Sequence, residues 1–455
     1  MDLDQLSSEL ILKIFSYLPQ ESLLALSQVS PRIKRMALDP FLWTKVIIDS
    51  SLSTCPEMLS EVLNSATLMR KLDASVDDVD LEALATASAT FERLEEVTIR
   101  GWMLLHPNVP RLLCHCQSLE SIVLRGKGVL TTEGVTVLQE LSGLKSLLLS
   151  FYIRVPEKVV QQICISCPAL EMLTLSSNSI HDDDTWNFFG RLQHLKSLSV
   201  TVLNTNGLLH LATSCPNLQS LQINVMGNTN RISAAQAVQG LHKLRTLRVR
   251  CCYAQDWFHP EFPTPTSLEC FDIPELGMNK LQLKILTDSC LPLRKVTFSV
   301  CRIEGSALEA LSVCPNLESM SLSGLPCDNL KLEVLCQFPK LAYANLGIME
   351  AIPAVFNQLQ SIVDDVNTNL KSSTRLVIRL FPQPRSPRDA LVRALGAFEN
   401  FLAIKKAQTT QDVRGMEERR LRPAYGLSEL DVSVATPSET LKCVVLNLHH
   451  FEGVE

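Results

Sequence analysis

The sequence predicts an α/β chain in two parts: a three-helix module at the N-terminus, then a curved solenoid with a parallel concave sheet and convex helices. Three observations predict it. From Leu6 to Trp43 apolar residues recur at helical spacing between helix stops, and from Met69 onward the unit L-x-x-L-x-L returns every 23 to 26 residues. The third is compositional: 46% of the 455 residues are hydrophobic but only 5% are aromatic, which suits an interior of thin, repeated aliphatic layers.

In the first helix Leu6, Leu10, Ile11, Ile14, Phe15 and Leu18 form one wide apolar stripe. Ser7 or Ser8 caps its start, Glu9 suits the positive end of the helix, and Pro19 marks its end. A second, shorter helix carries Leu23, Leu24 and Leu26. The third has Ser30 as N-cap and Pro31 at the first helical position, where its missing N–H costs nothing, and Asp39-Pro40 stops it. So short a piece buries too little apolar surface to offset its chain entropy. Part of its stripe is therefore expected to wait for a partner.

The series Leu6, Glu9, Ile14, Leu18, Pro19, Leu23, Leu26, Val29, Ser30, Asp39, Leu42 and Trp43 resembles an F-box in order and spacing. The resemblance implies a module over residues 1–47 by which substrate receptors dock onto the Skp-type linker subunit of cullin-RING (SCF) ubiquitin ligases. Leu6, Glu9, Leu10, Ile14, Leu18, Pro19, Leu23, Leu42 and Trp43 would make that contact. Two positions depart from the family pattern. Ser7 stands where Pro is usual, which implies a looser grip, and Ile33 where an aromatic is usual, which implies a smaller core.

A strand at Lys45 to Asp49 and a helix around Met58 to Leu63 lead into the repeats. Clear copies of the unit begin at Leu94, Leu119, Leu144, Leu170, Leu195, Leu218, Leu244, Leu268, Leu293, Leu317 and Leu341, with a weaker one at Met69. Alternation within each unit has the two-residue period of a strand, and the intervening segments, such as Val135-Leu138-Leu141, Leu208-Leu211 and Ala307-Leu311, have helical spacing. One strand and one helix per repeat resembles the leucine-rich repeat, and the Cys-Pro before several units its cysteine-containing subtype. About twelve repeats are expected over residues 48–350.

Beyond Leu346 the period breaks. A helix is expected from Ile352 to Leu370, a strand from Arg375 to Leu380 and an amphipathic helix from Ala390 to Ala407. Leu427 to Val432 and Leu441 to Leu446 fit the repeat template again, so residues 351–455 read as irregular repeats that close the array, with mobile insertions at 382–388 and 408–424.

A net charge of −6 offers no bulk attraction for nucleic acid or an anionic membrane. The N-terminus has no basic region followed by an apolar run, and no stretch approaches the roughly 18 apolar residues of a membrane span. These features point to the cytosol or nucleus, where the fifteen cysteines are expected as reduced thiols. Cys116, Cys167, Cys215, Cys290 and Cys314 each lie three residues before a unit, the place of a small buried side chain at a turn. Neither Cys114-His115-Cys116 nor Cys251-Cys252 has a second pair at zinc-ligand spacing, so no metal is expected, and no cofactor or nucleophile motif stands out. Asp182-Asp183-Asp184 reads as helix N-terminal charge.

Within each unit positions 0, 3 and 5 are structural, counting the first Leu as zero, so positions 2, 4 and 6 point into the hollow. These are mostly Ser, Thr, Gln and Asn, including Ser197, Ser199, Thr201, Ser220, Gln222, Asn224, Ser319, Ser321 and Ser323. The charges are Lys71, Arg100, Arg125, Arg248, Arg250 and Lys295 against Asp73, Glu96 and Asp272. An acidic or phosphorylated protein segment is the expected client, held by Arg100, Arg125, Thr246, Arg248, Arg250 and Lys295, because paired Arg suits carboxylate and phosphate. The implied function is a non-catalytic substrate adaptor of an SCF-type ubiquitin ligase. The alternative is a leucine-rich-repeat scaffold outside any ligase, its F-box an end cap or linker-subunit binder.

Overall fold

In the computed structural model the described residues are 6–49, 56–75, 81–100, 108–125, 128–129, 136–149, 153–180, 183–202, 208–225, 238–251, 267–273, 287, 292–298, 307–326, 332–349, 375–381, 429–434 and 444–449. The chain divides into two compact units, Met1–Lys243 and Leu244–Glu455, so the division falls inside the expected repeat array.

The first unit opens with α1 (Ser8–Phe15), α2 (Gln20–Ser27) and α3 (Pro31–Ala37), followed by a 3₁₀ turn at Pro40–Trp43. Ser7, rather than Ser8, caps α1 by accepting from the Leu10 N–H at 3.5 Å. Ser30 caps α3 by accepting from the Ile33 N–H at 3.2 Å, with Pro31 in the first turn. The Asp39 carboxylate accepts from the Phe41 N–H at 3.0 Å and starts the 3₁₀ turn, which aims Trp43 inward. Its indole N–H donates to the Ala37 carbonyl at 2.7 Å, so the large ring is buried without an orphaned donor. Ile11, Phe15, Leu23, Ile33, Ala37 and Trp43 are the core of this module.

The repeats of this unit give strands β1 (Lys45–Ile48), β2 (Lys71–Ser75), β3 (Glu96–Arg100), β4 (Ser121–Arg125), β6 (Ser146–Leu149), β8 (Met172–Ile180), β9 (Ser197–Val202) and β10 (Ser220–Val225). They pair in that order and all in parallel, with a separate two-stranded ribbon formed by β5 (Gly128–Val129) and β7 (Ile153–Arg154). Between them lie helices at Pro56–Ser65, Leu81–Ala87, Asn108–Cys114, Glu157–Ser166, Asp183–Phe189 and Leu208–Ser214. In the segment expected as a helix around Leu138, Thr136 is helical and is followed by a 3₁₀ turn, Val137–Glu140. A 3₁₀ turn rises about 2.0 Å per residue against 1.5 Å for an α-helix, so it crosses a layer with fewer residues.

The second unit contains β11 (Thr246–Cys251), β12 (Cys270–Ile273), β13 (Lys295–Phe298), β14 (Ser319–Pro326), β15 (Tyr343–Met349), β16 (Arg375–Phe381), β17 (Glu429–Val434) and β18 (Val444–His449). From β11 to β16 each strand pairs with the next in parallel, with a helix at Ala307–Leu311 and a 3₁₀ segment at Leu332–Gln337. At the end the repeat reading is corrected: β18 pairs with β16 in parallel, and β17 lies outside it, antiparallel. Residues 435–443 between β17 and β18 are fewer than the dozen or so that a parallel crossover needs. The helices expected at Ile352–Leu370 and Ala390–Ala407, and the insertions at 382–388 and 408–424, lie outside the described residues.

Each repeat position has its own task. Positions 0, 3 and 5 are buried, as in Leu94, Val97 and Ile99 or Leu317, Met320 and Leu322. The main-chain N–H groups of positions 1 and 2 both donate to the position-1 carbonyl of the preceding repeat, as Glu95 and Glu96 do to Arg70 at 2.8 and 2.9 Å. Side chains at position 1 form cross-repeat ion pairs. In the first unit these are Arg70 with Glu95 at 3.3 Å, Lys145 with Glu120 at 2.7 Å and Lys196 with Glu171 at 2.7 Å. In the second they are Arg245 with Glu269 at 3.5 Å and Arg294 with Glu318 at 2.8 Å. The hydrogen bond from Lys196 holds the Glu171 carboxyl below its ordinary range. The cysteines three residues before a unit, Cys116, Cys167, Cys215 and Cys314, are buried. Two of them reach back a repeat, Cys167 Sγ to the Leu138 carbonyl at 3.7 Å and Cys215 Sγ to the Phe189 carbonyl at 3.5 Å. Cys290 lies outside the described residues.

Candidate docking and recognition surfaces

The apolar stripe of α1 divides into two halves. Ile11 and Phe15 pack inward against the rest of the three-helix module, whereas Leu10 and Ile14 remain 52% and 46% exposed. Tyr17, three residues beyond Ile14, is 79% exposed, so Leu10, Ile14 and Tyr17 make an outward stripe at i, i+4 and i+7. Val29 at 69% and Phe41 at 70% add exposed apolar surface at the two ends of α3. Single exposed apolar residues are ordinary, whereas five on a module of this size are more than usual.

Other residues of the module fasten it to the first repeats. Lys34 pairs with Glu61 at 2.7 Å, Ser27 Oγ donates to Met58 Sδ at 3.6 Å, and Gln20 makes two hydrogen bonds to the backbone of Ile47 on β1. Docking and attachment therefore use different residues.

On the sheets, positions 2, 4 and 6 lie opposite the core, and pairing of charges across strands changes what they offer. In the first unit Arg100 Nη2 meets Asp73 at 2.6 Å and Lys71 meets Glu96 at 2.8 Å. Arg125 is in register beside Arg100 and has no ion-pair partner among the described residues. In the second unit Arg248 pairs with Asp272 at 3.3 Å. Arg250 and Lys295 are exposed and have no ion-pair partner among the described residues, and Thr246 is half-buried at the start of β11. The expected open row of small polar residues is partly corrected: Ser199, Thr201 and Asn224 are buried, because short side chains between neighbouring strands present little surface. Asn224 Nδ2 donates to Thr201 Oγ1 at 3.3 Å, and Ser199 Oγ and Asn224 Oδ1 have no hydrogen-bond partner among the described residues.

Among the described residues no group of three or more His, Cys, Asp or Glu is placed to hold an ion. His115 Nδ1 is taken by the Arg111 carbonyl at 3.0 Å and Ser88 Oγ at 3.1 Å, while Cys116 points into the core. Among the described residues no helix is long and apolar enough to cross a membrane.

Residues 4–49 match the F-box-like family. The three-helix module is thus an F-box-like domain, and the parallel L-x-x-L-x-L layers that follow are leucine-rich repeats. No curated protein matches the chain. Among solved structures the chain is similar to a leucine-rich-repeat protein of Leptospira interrogans, at 13% identity and a TM-score of 0.41, covering 74% of this chain and 90% of that one. It is also similar to the yeast Rad7 and Elc1 complex, at 14% identity and a TM-score of 0.42 over 84% and 91% of the two chains. An internalin of Listeria monocytogenes aligns at 15% identity and a TM-score of 0.37 over 74% and 93%.

Within the F-box-like domain the residues expected to dock separate by burial. Glu9, Leu10, Ile14 and Pro19 are exposed, and Leu6, Leu18 and Leu42 are partly exposed. Leu23 and Trp43 are corrected to core residues, buried because they fill the space between the short helices. Tyr17, Val29 and Phe41 are the exposed apolar residues that the docking set omitted, and their signal is a large apolar side chain in or beside a helix-terminating turn. On the strands, Arg100 and Arg248 are engaged by carboxylates, and among the described residues Arg125, Arg250 and Lys295 are the cations of the expected set without an ion-pair partner.

Proposed function

We propose that this chain is the substrate-recognition adaptor of an SCF-type E3 ubiquitin ligase, working in the cytosol or nucleus. The observation that carries the reading is the outward stripe Leu10, Ile14 and Tyr17 on an F-box-like domain, since an unfilled apolar surface there is what a Skp-type linker subunit would cover. The repeats hold the client, and the chain contributes no bond-making chemistry. An associated conjugating enzyme transfers ubiquitin, and the adaptor raises the effective concentration of a client lysine beside it.

On this reading the client bears an acidic or phosphorylated segment, which Arg250 and Lys295 attract and Arg248 can join by exchanging its bond to Asp272. Affinity purification of the full chain is expected to recover the linker subunit and a cullin, with both lost on Ile14→Asp. Recovery of the linker subunit without any cullin would favour the scaffold reading, to which the attachment of the F-box-like domain to β1 lends support. Charge reversal by Arg248→Glu with Arg250→Glu is expected to release clients while leaving the linker subunit bound. Clients retained by that variant would rule out the cationic strands as their site.

A further inference from the structure

β1 is the outermost strand of its sheet, with β2 on one side and, among the described residues, no strand on the other. In a parallel pair alternate residues turn both backbone groups toward the neighbour, and Thr44 already accepts from Arg70 and Lys71. Val46 and Ile48 therefore face β2, while Lys45 and Ile47 face outward. At Ile47 the outward groups are both taken: its N–H donates to Gln20 Oε1 at 2.8 Å, and its carbonyl accepts from Gln20 Nε2 at 2.5 Å. A carboxamide carries one acceptor and one donor side by side, so it offers the strand what a neighbouring peptide group would. Lys45 has no such backbone partner among the described residues, and its charge discourages pairing at that end.

Gln20 is also the first residue of α2, immediately after the Tyr17-Leu18-Pro19 turn at the end of the outward stripe. We propose that Gln20 is a positioning residue: its carboxamide stands in for the missing strand, locks the docking face to the repeat sheet, and makes occupancy of that face felt at β1. The second half rests on the docking reading above. A partner covering Tyr17 and Pro19 holds the turn still, and the carboxamide then leaves Ile47 less often.

Amide hydrogen exchange on the full chain tests this residue by residue. In the free protein Ile47 is expected to exchange slowly and Lys45 fast, and Gln20→Leu, which keeps side-chain size and helix propensity, should speed Ile47 about tenfold with Val46 and Ile48 unchanged. Adding a Skp-type linker subunit should slow Ile47 further in the natural chain and leave it unaltered in Gln20→Leu. Equal rates at Ile47 and Lys45 in the natural chain would overturn the lock. So would a uniform rise across Val46, Ile47 and Ile48 in the variant, which reports loosening of the whole strand. If the linker subunit protects α1 but leaves Ile47 unchanged, the coupling is wrong. If α1 gains no protection, the docking reading fails, and the contrast between Ile47 and Lys45 still decides the lock.

Discussion

Replacing Leu10, Ile14 and Tyr17 together by Ala separates docking from folding, because their exposed area belongs to no contact within the chain. Complete burial of a large apolar side chain is worth about 1.5–3 kcal/mol. Leu10 and Ile14 still expose 52% and 46%, and Tyr17 79%. Scaling by exposure gives about 1 kcal/mol for each aliphatic residue and about 1.5–2 kcal/mol for the tyrosine. The sum of about 3–4 kcal/mol corresponds to a loss of two to three orders of magnitude in affinity for a Skp-type linker subunit. Isothermal titration of the purified full chain measures it, with thermal unfolding run on the same sample. The control is Phe15→Ala on the inward half of the helix, which opens a cavity costing about 3–5 kcal/mol and should unfold the F-box-like domain. Undiminished affinity in the triple variant would refute the reasoning. So would a fall in Tm as large as that of Phe15→Ala, since the stripe would then be part of the core.

Gly240 leaves no room for a Cβ, which would stand 2.5 Å from Ala212 Cβ on the helix Leu208–Ser214. Gly240→Ala should therefore cost about 1–3 kcal/mol by urea unfolding, and Ala212→Gly in the same chain should recover part of it, although alone it costs about 1 kcal/mol. Burial raises the Cys116, Cys167 and Cys215 thiols from 9.0 to about 12 and pushes Cys164 up as well. In the unfolded chain these thiols ionise near their ordinary value, so stability should be flat below pH 9 and fall as pH rises toward 12, in a series of chemical unfolding curves. Thiol-reactive dyes should reach these cysteines only after unfolding. Glu171→Lys removes the partner of Lys196 and sets like charge beside Lys145, so Tm should drop at low ionic strength, with the gap to the natural chain closing in about 1 M salt.

Which parts of this were legible in sequence follows from the range of the interactions that decide them. The caps at Ser30 and Asp39, the Pro at the start of α3, and the buried positions 0, 3 and 5 are local or periodic, so spacing alone reveals them. The division of the α1 stripe is different. Helical periodicity groups Leu10 and Ile14 with Ile11 and Phe15, and only the packing of α3 against α1 decides which pair turns inward. The same packing takes Leu23 and Trp43 into the core and leaves Phe41, between Pro40 and Leu42, outside. Gln20 carries no pattern at all, since its role depends on β1, 27 residues away along the chain. The antiparallel β17 follows the repeat template, and only the length of the link to β18 betrays it.

Charge in this chain is divided by repeat position, and that division limits where recognition can act. At position 1 the alternating Arg, Lys and Glu residues answer one another across repeats, so attraction to an outside group there would first have to break an internal pair. At position 4 Arg248 is half committed to Asp272, whereas among the described residues Arg250 at position 6 and, two strands away on β13, Lys295 at position 2 have no ion-pair partner. A net charge of −6 therefore understates what a client meets, because the ladder cancels locally and leaves cations on the strand face. Reversing charge at Arg250 should alter client binding with little effect on unfolding, and reversing it at Glu171 should do the opposite. Sensitivity of client binding to both substitutions alike would mean that the ladder, too, faces the client.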